Sequence, residues 1–159
     1  MAKQPQVGTE APDFTLPGVV LRDGEFQTGD YTLSAHRGRP LVLAFYPGDD
    51  TAVCTRQLCE YSAGLEQFAG LGADVWGISP QGLDSHRDFA GKHGLRMPLL
   101  ADTEQVATEA YGIGLLGSLR RAVFVLDAEG VVRWRHVAVV GLTFQDLETI
   151  TRELKALQD

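Results

Sequence analysis

Both cysteines of the chain, Cys54 and Cys59, lie in one short segment that runs from Pro47 to Cys59. A cysteine acts through its thiolate, which attacks electrophiles, is oxidised, or holds a metal. A structural zinc site built of cysteine alone needs more than two, and so does a disulfide scaffold. In a reducing compartment a cysteine pair is more often catalytic or redox-sensing than structural. Composition by itself leaves two buried, inert thiols equally open. The neighbours of Cys54 add to the chemistry. Thr51, three residues earlier, can offer a hydroxyl to the sulfur or to an oxygen bound beside it. Pro47 fixes a turn and, having no N–H, shields one side of a pocket from water.

Elements must position these groups. The run Leu41-Val42-Leu43-Ala44-Phe45-Tyr46 is apolar throughout and stops at Pro47-Gly48. That predicts a strand covered on both faces, at the centre of an α/β sheet. From about Val53 to Leu71 the spacing of Leu58, Tyr61, Leu65 and Phe68 predicts a helix, closed by Gly70 and Gly72. Cys54 then falls past the turn after a buried strand, at the start of a helix. In open α/β sheets this carboxyl end of a strand is where ligands and catalytic groups collect. The unpaired N–H groups and partial positive charge of a helix N-terminus favour thiolate over thiol. The position is itself a means of activation.

The rest of the chain supplies the sheet. Val75 to Ser79 reads as a second buried strand stopped by Pro80. A helix follows from Ser85, with Ser85 and Asp88 resembling a capping box and Gly94 at its end. Leu99-Leu100 reads as a short strand and Gln105 to Tyr111 as a short helix ending at Gly112. Ala122–Asp127 and Val131–Val137 read as a hairpin joined by Ala128-Glu129-Gly130. An amphipathic helix closes the chain from about Thr143 or Phe144 to Leu157. Upstream, Val19–Phe26, broken at Asp23-Gly24, and Tyr31–Ser34 add edge strands or a hairpin. The order indicates one domain over residues 1–159: an α/β sandwich with a central mixed sheet flanked by helices.

Composition narrows the functions. At 159 residues, 44% hydrophobic and 22% charged, the chain is an ordinary globular one that can bury a core without staples. A net charge of −7 disfavours nucleic acid and anionic membranes as partners, since both are polyanions. The N-terminus lacks the apolar core of a signal peptide, and no window approaches the ~20 apolar residues of a membrane span. The expected location is cytoplasmic. His36, His86, His93 and His136 show no metal-ligand spacing and read as surface or hydrogen-bonded histidines. Trp76 and Trp134 read as core residues. Gly112-Ile113-Gly114-Leu115-Leu116-Gly117 neither follows a strand nor opens a long helix, so it does not read as a dinucleotide loop. It reads as a flexible loop near Cys54, with Ile113, Leu115 and Leu116 available to a substrate mouth or an interface. Neither a cofactor nor a metal is expected.

Pro47, Thr51 and Cys54, following Phe45-Tyr46, resemble the active-site signature of peroxiredoxins. Ala11-Pro12-Asp13-Phe14 resembles the family's N-terminal motif, and Leu33 to Tyr46 its approach to the active site. Arg121 to Asp127 resembles the segment that carries the family's active-site arginine. Cys54 to Cys59 is similar to the bacterioferritin-comigratory-protein (PrxQ) subfamily, whose resolving cysteine lies five residues on in the same helix. The resemblance implies a thioredoxin-like fold and a thiol peroxidase. Hydrogen peroxide and organic hydroperoxides would be reduced by Cys54, giving a sulfenic acid that condenses with Cys59. It also implies Arg121, rather than Arg120, as the residue that holds thiolate and peroxide. Gln57 is a secondary member of the arginine network, with an ordinary helix residue as its other reading. The implied reductant is thioredoxin or a similar dithiol. A monomer is favoured, with a homodimer as the alternative.

Helix geometry then sets a condition on that pairing. A five-residue step on a regular helix separates Cα atoms by roughly 8–9 Å, whereas a disulfide needs about 4.4–6.8 Å. The first turns must unwind in each cycle. Some residues depart from the pattern. Asp49 and Asp50 place negative charge near the thiolate, with Arg56 as partial compensation. Val53 stands where glycine is frequent and Val123 where Thr or Ser is common, and Gly18–Asp30 is longer than the subfamily norm. A thiol–disulfide oxidoreductase is disfavoured by the missing Cys-x-x-Cys. A redox sensor that switches a partner surface stays open.

Overall fold

The computed structural model describes residues 3–115, 117–138 and 144–158. The strands are β1 (Thr15–Arg22), β2 (Glu25–Thr32), β3 (Leu41–Phe45), β4 (Asp74–Ser79), β5 (Leu99–Ala101), β6 (Gly114–Leu115), β7 (Ser118–Leu119), β8 (Ala122–Leu126) and β9 (Val132–Val137). The helices are α1 (Ala52–Ala63), α2 (Leu65–Gly70), α3 (Leu83–His93), α4 (Val106–Ala110) and α5 (Leu147–Ala156). Seven strands form one sheet in the order β2-β1-β5-β4-β3-β8-β9. β3 is parallel to β4 and β4 to β5, while β8 runs antiparallel to β3 and β1 antiparallel to β5. The mixed α/β sheet expected from the sequence is present.

β3 shows why an unbroken apolar run suits its place. Leu43 and Phe45 join a cluster on one face with Phe14, Trp76, Tyr111 and Phe124. Val42, Ala44 and Tyr46 join Cys54, Leu58, Phe68, Phe89 and Ile150 on the other. Alternating side chains therefore fill two cores, and each fully buried Leu or Phe contributes about 1.5–3 kcal/mol. Trp76 is core, as expected. Trp134 is only partly buried and stacks on His136.

Several boundaries differ from the sequence reading, each for a tertiary reason. The predicted helix over Val53–Leu71 is two helices, broken at Gly64. A Cβ at Gly64 would come within 2.7 Å of Leu147 Cδ2, so the approach of α5 requires glycine there. Helix α3 begins at Leu83 after Gly82, and Ser85 lies inside it. The expected Ser85–Asp88 capping box is absent because the Ser85 hydroxyl donates to Asp49 instead, at 2.7 Å. Gly94 ends α3 in the left-handed conformation, φ 64°, as a C-terminal glycine does.

The last helix starts at Leu147, later than Thr143 or Phe144. Asp146 caps it, accepting from the Thr149 N–H at 2.8 Å. Thr143 lies outside the described residues. Gly18–Asp30 is the body of the β1–β2 hairpin, turned at Asp23 and Gly24, both at positive φ. Leu33-Ser34 belongs to a 3₁₀ turn rather than a strand. No helix among the described residues is long and apolar enough to cross a membrane.

Candidate active site

β3 and β8 lie side by side, with Phe45 opposite Ala122. This register brings the end of β3, the turn beyond it and the residue before β8 together. Arg121, just ahead of β8, is anchored by its carbonyl, which accepts from the Ala138 N–H at 2.8 Å. Its side chain is buried while that of Arg120 is exposed. Cys54 is the third residue of α1 and is fully buried in the face formed by Tyr46, Leu58 and Tyr61.

Arg121 Nη2 donates to Cys54 Sγ at 3.1 Å, and Nη1 donates to Gln57 Oε1 at 2.5 Å. Gln57, one turn beyond Cys54, is itself fully buried. Its amide nitrogen donates to the Tyr61 hydroxyl at 3.4 Å, and Tyr61 donates to the Gln145 carbonyl at 2.5 Å. The guanidinium thus holds sulfur and amide with two prongs of one planar fork. Its Nε–H is also buried and has no acceptor among the described residues. A buried donor without an acceptor asks for an explanation.

Thr51 is the residue before α1, in extended conformation, and its backbone carbonyl accepts from the Thr55 N–H. Its hydroxyl donates to the Gly48 carbonyl at 3.4 Å and is not bonded to the sulfur. Pro47 is half-buried, and its carbonyl accepts from Ser118 Oγ at 3.3 Å. Ser118, the residue after the Gly112–Gly117 segment, therefore reaches the turn before Cys54. Ile113, however, is fully buried core, and only Leu115 is exposed. Leu116 lies outside the described residues.

Cys59 is partly exposed on α1, both thiols are free, and burial pushes the Cys59 thiol above its ordinary value. The carbonyls and side chains just beyond Cys59 are tied down. Glu60 Oε2 accepts from the Leu147 N–H at 2.8 Å, and Ser62 accepts from the Arg96 N–H and guanidinium.

The sequence reading sets Asp49 and Asp50 against a thiolate and turns to Arg56 for compensation. The structure corrects this. Asp49 accepts from Tyr46, Ser85 and His86, each at 2.7 Å, and its own N–H donates to Gln81 Oε1. Asp50, at positive φ, accepts from Lys92 at 2.7 Å and pairs with His93 at 2.9 Å. Both carboxylates are hydrogen-bonded by α3 and the turn before it. Arg56 is exposed and forms no described ion pair with either. Nothing local in the sequence marks Tyr46, Gln81, Ser85 and His86 as site residues, because only the packing of α3 beside the turn brings them there. His36 and His93 are hydrogen-bonded as expected, His36 to Asp74 at 2.7 Å.

Residues 7–135 match the AhpC/TSA family, and the chain belongs to it. It is 37% identical over 154 residues to the chloroplastic peroxiredoxin Q of japonica rice, covering 95% of this chain and 66% of that one. It is 34% identical over 155 residues to peroxiredoxin Bcp of Bacillus subtilis, covering 91% of this chain and 94% of that one. The chain thus spans just under two thirds of the rice relative and nearly all of the bacterial one. These are the PrxQ and Bcp relatives that the Cys54–Cys59 spacing pointed to.

Among solved structures, the fold matches a reduced 2-Cys peroxiredoxin of Plasmodium vivax with TM-score 0.86 at 24% identity, covering 96% and 81% of the two chains. It matches Mycobacterium tuberculosis AhpC with TM-score 0.85 at 22% identity, covering 98% and 94%. The fold is the thioredoxin-like one of these peroxiredoxins.

Proposed function

We propose that the chain is a thiol-dependent peroxidase in which Cys54 reduces hydrogen peroxide or an organic hydroperoxide. The observation that carries this reading is the Arg121 fork: one N–H on the Cys54 sulfur and a second buried N–H without an acceptor among the described residues. A permanently charged guanidinium 3.1 Å from the sulfur stands where the negative charge of the attacking thiolate has to be held. Nε–H supplies a donor for the oxygen that acquires charge as the peroxide bond breaks. The thiolate attacks one peroxide oxygen, the O–O bond breaks, and the second oxygen leaves as water or alcohol after taking a proton. Cys54 is left as a sulfenic acid. Thr51 and Pro47 shape the turn, and Gln57 fixes the guanidinium.

Cys59 is the proposed resolving thiol. Its sulfur attacks the sulfenic sulfur, water leaves, and an intramolecular disulfide forms. An external dithiol, thioredoxin or one like it, then returns both thiols by exchange. A monomer in a reducing cytoplasm is the setting we favour, without metal or cofactor, while the rice relative is chloroplastic by name.

Stopped-flow peroxide reduction tests the reading on wild type, Cys54→Ser and Cys59→Ser. Wild-type turnover in Cys54→Ser overturns it. Cys59→Ser should keep the first oxidation and lose dithiol-linked recycling. Retained recycling in Cys59→Ser would refute the two-cysteine cycle alone.

A further inference from the structure

His86 is fully buried on α3, and each of its ring nitrogens faces an oxygen. Nδ1 lies 2.7 Å from Asp49 Oδ2, and Nε2 lies 2.9 Å from the Leu100 carbonyl. A carbonyl only accepts, and so does an ionised carboxylate. A neutral imidazole has one N–H and would leave one of these oxygens facing a lone pair. The proton needed belongs on His86 rather than Asp49, because Asp49 also accepts from the Tyr46 and Ser85 hydroxyls, the acceptor-only role of an ionised carboxylate. The remaining charges near this pair, Lys92, His93 and Asp50, form their own exposed cluster further along α3.

The pair has a bearing on Cys54. Tyr46 Oη donates to Asp49 Oδ1, and Tyr46 shares its core face with Cys54. Asp49 and a Cys54 thiolate are therefore two anions near one phenol, in an interior that screens charge poorly. Resting on the peroxidase reading above, we propose that His86 is a positioning residue. It is a buried imidazolium that neutralises Asp49 and ties the Pro47–Thr51 turn to α3, so that Cys54 can carry its negative charge beside them.

Two measurements test this, and neither depends on peroxide turnover. In wild-type protein at neutral pH, nitrogen-15 NMR of His86 should show both ring nitrogens protonated. A neutral tautomer overturns the proposal whatever any variant does. The second measures Cys54 thiolate by its alkylation rate in a Cys59→Ser background. His86→Asn keeps a donor toward Asp49 but removes the charge, and should lower that rate about tenfold, as one uncompensated nearby anion does.

Adding Asp49→Asn to His86→Asn removes the anion as well, and should restore the rate to within about threefold. A merely structural role would give no such rescue. A folded His86→Asn that alkylates at the wild-type rate, or a double variant no faster than the single one, overturns the proposal. If His86→Asn does not fold, the NMR result decides. A protein that passes both measurements but leaves peroxide untouched would refute the peroxidase reading and not the charge pair.

Discussion

Arg121 and Cys54, 67 residues apart in sequence, meet at 3.1 Å in a buried pair, with the guanidinium also bonded to Gln57. The contact exists because β3 and β8 are neighbours and Phe45 is in register with Ala122. A fork of this kind supplies several directed donors at once, which a lysine cannot.

Arg121→Lys and Arg121→Leu should therefore both impair peroxide reduction, and the lysine should not rescue it. Loss of a donor aimed at developing charge costs about 10²–10³ in rate. We expect the second-order rate constant for sulfenic acid formation to fall by that order in both variants. A lysine variant within about threefold of wild type would mean that charge alone suffices. Circular dichroism of each variant separates lost chemistry from lost fold.

The Cys54–Cys59 disulfide and an intact α1 exclude one another. The segment free to change lies between two fixed ends, the Asp49–α3 contacts and the ties of Glu60 and Ser62 to Leu147 and Arg96. Oxidation should raise amide exchange through residues 52–59 and leave residues 83–93 protected. Mass-resolved exchange of the reduced and disulfide forms reads this directly. Equal, strong protection over 52–59 in both forms contradicts it.

Asp74 gives a pH dependence whose sign can be worked out. Its hydrogen bond from His36, and then the nearby Arg39, hold its carboxyl below the ordinary 3.8. A carboxylate depressed in the folded state adds stability above its unfolded value, and that stability is lost as pH falls through the folded value. The pair is partly exposed, so its contribution near neutrality is about 0.5 kcal/mol. Asp74→Asn should lower the Tm slightly at pH 6, and the two proteins should converge below about pH 3. An unchanged gap between them at acid pH would exclude this account.

Gly64 is expected to resist any side chain. Gly64→Ala drives a methyl into Leu147 and should cost about 1–3 kcal/mol, the usual penalty for overpacking. Denaturant unfolding measures it. Combining it with Leu147→Ala should cost less than the sum of the two single changes, since the second makes room for the first. Additive costs would place the penalty elsewhere.

Elements whose signals are local can be read from the chain alone. The apolar run from Leu41 to Tyr46, the breaker Pro47-Gly48 and the turn at Gly130 each act over a few residues, so β3, the start of α1 and the β8–β9 hairpin were legible. So was the motif around Cys54, because its spacing is carried by one turn and one helix. Features that depend on distant parts of the chain follow from packing. The break at Gly64 depends on Leu147, and the missing cap at Ser85 depends on Asp49. The carboxylates of Asp49 and Asp50, adverse when read along the chain, are hydrogen-bonded by His86, Lys92 and His93 on a helix that begins more than 30 residues later. Electrostatic energy depends on distance in space and on burial. Sequence neighbours show which charges exist, and only packing shows which ones meet.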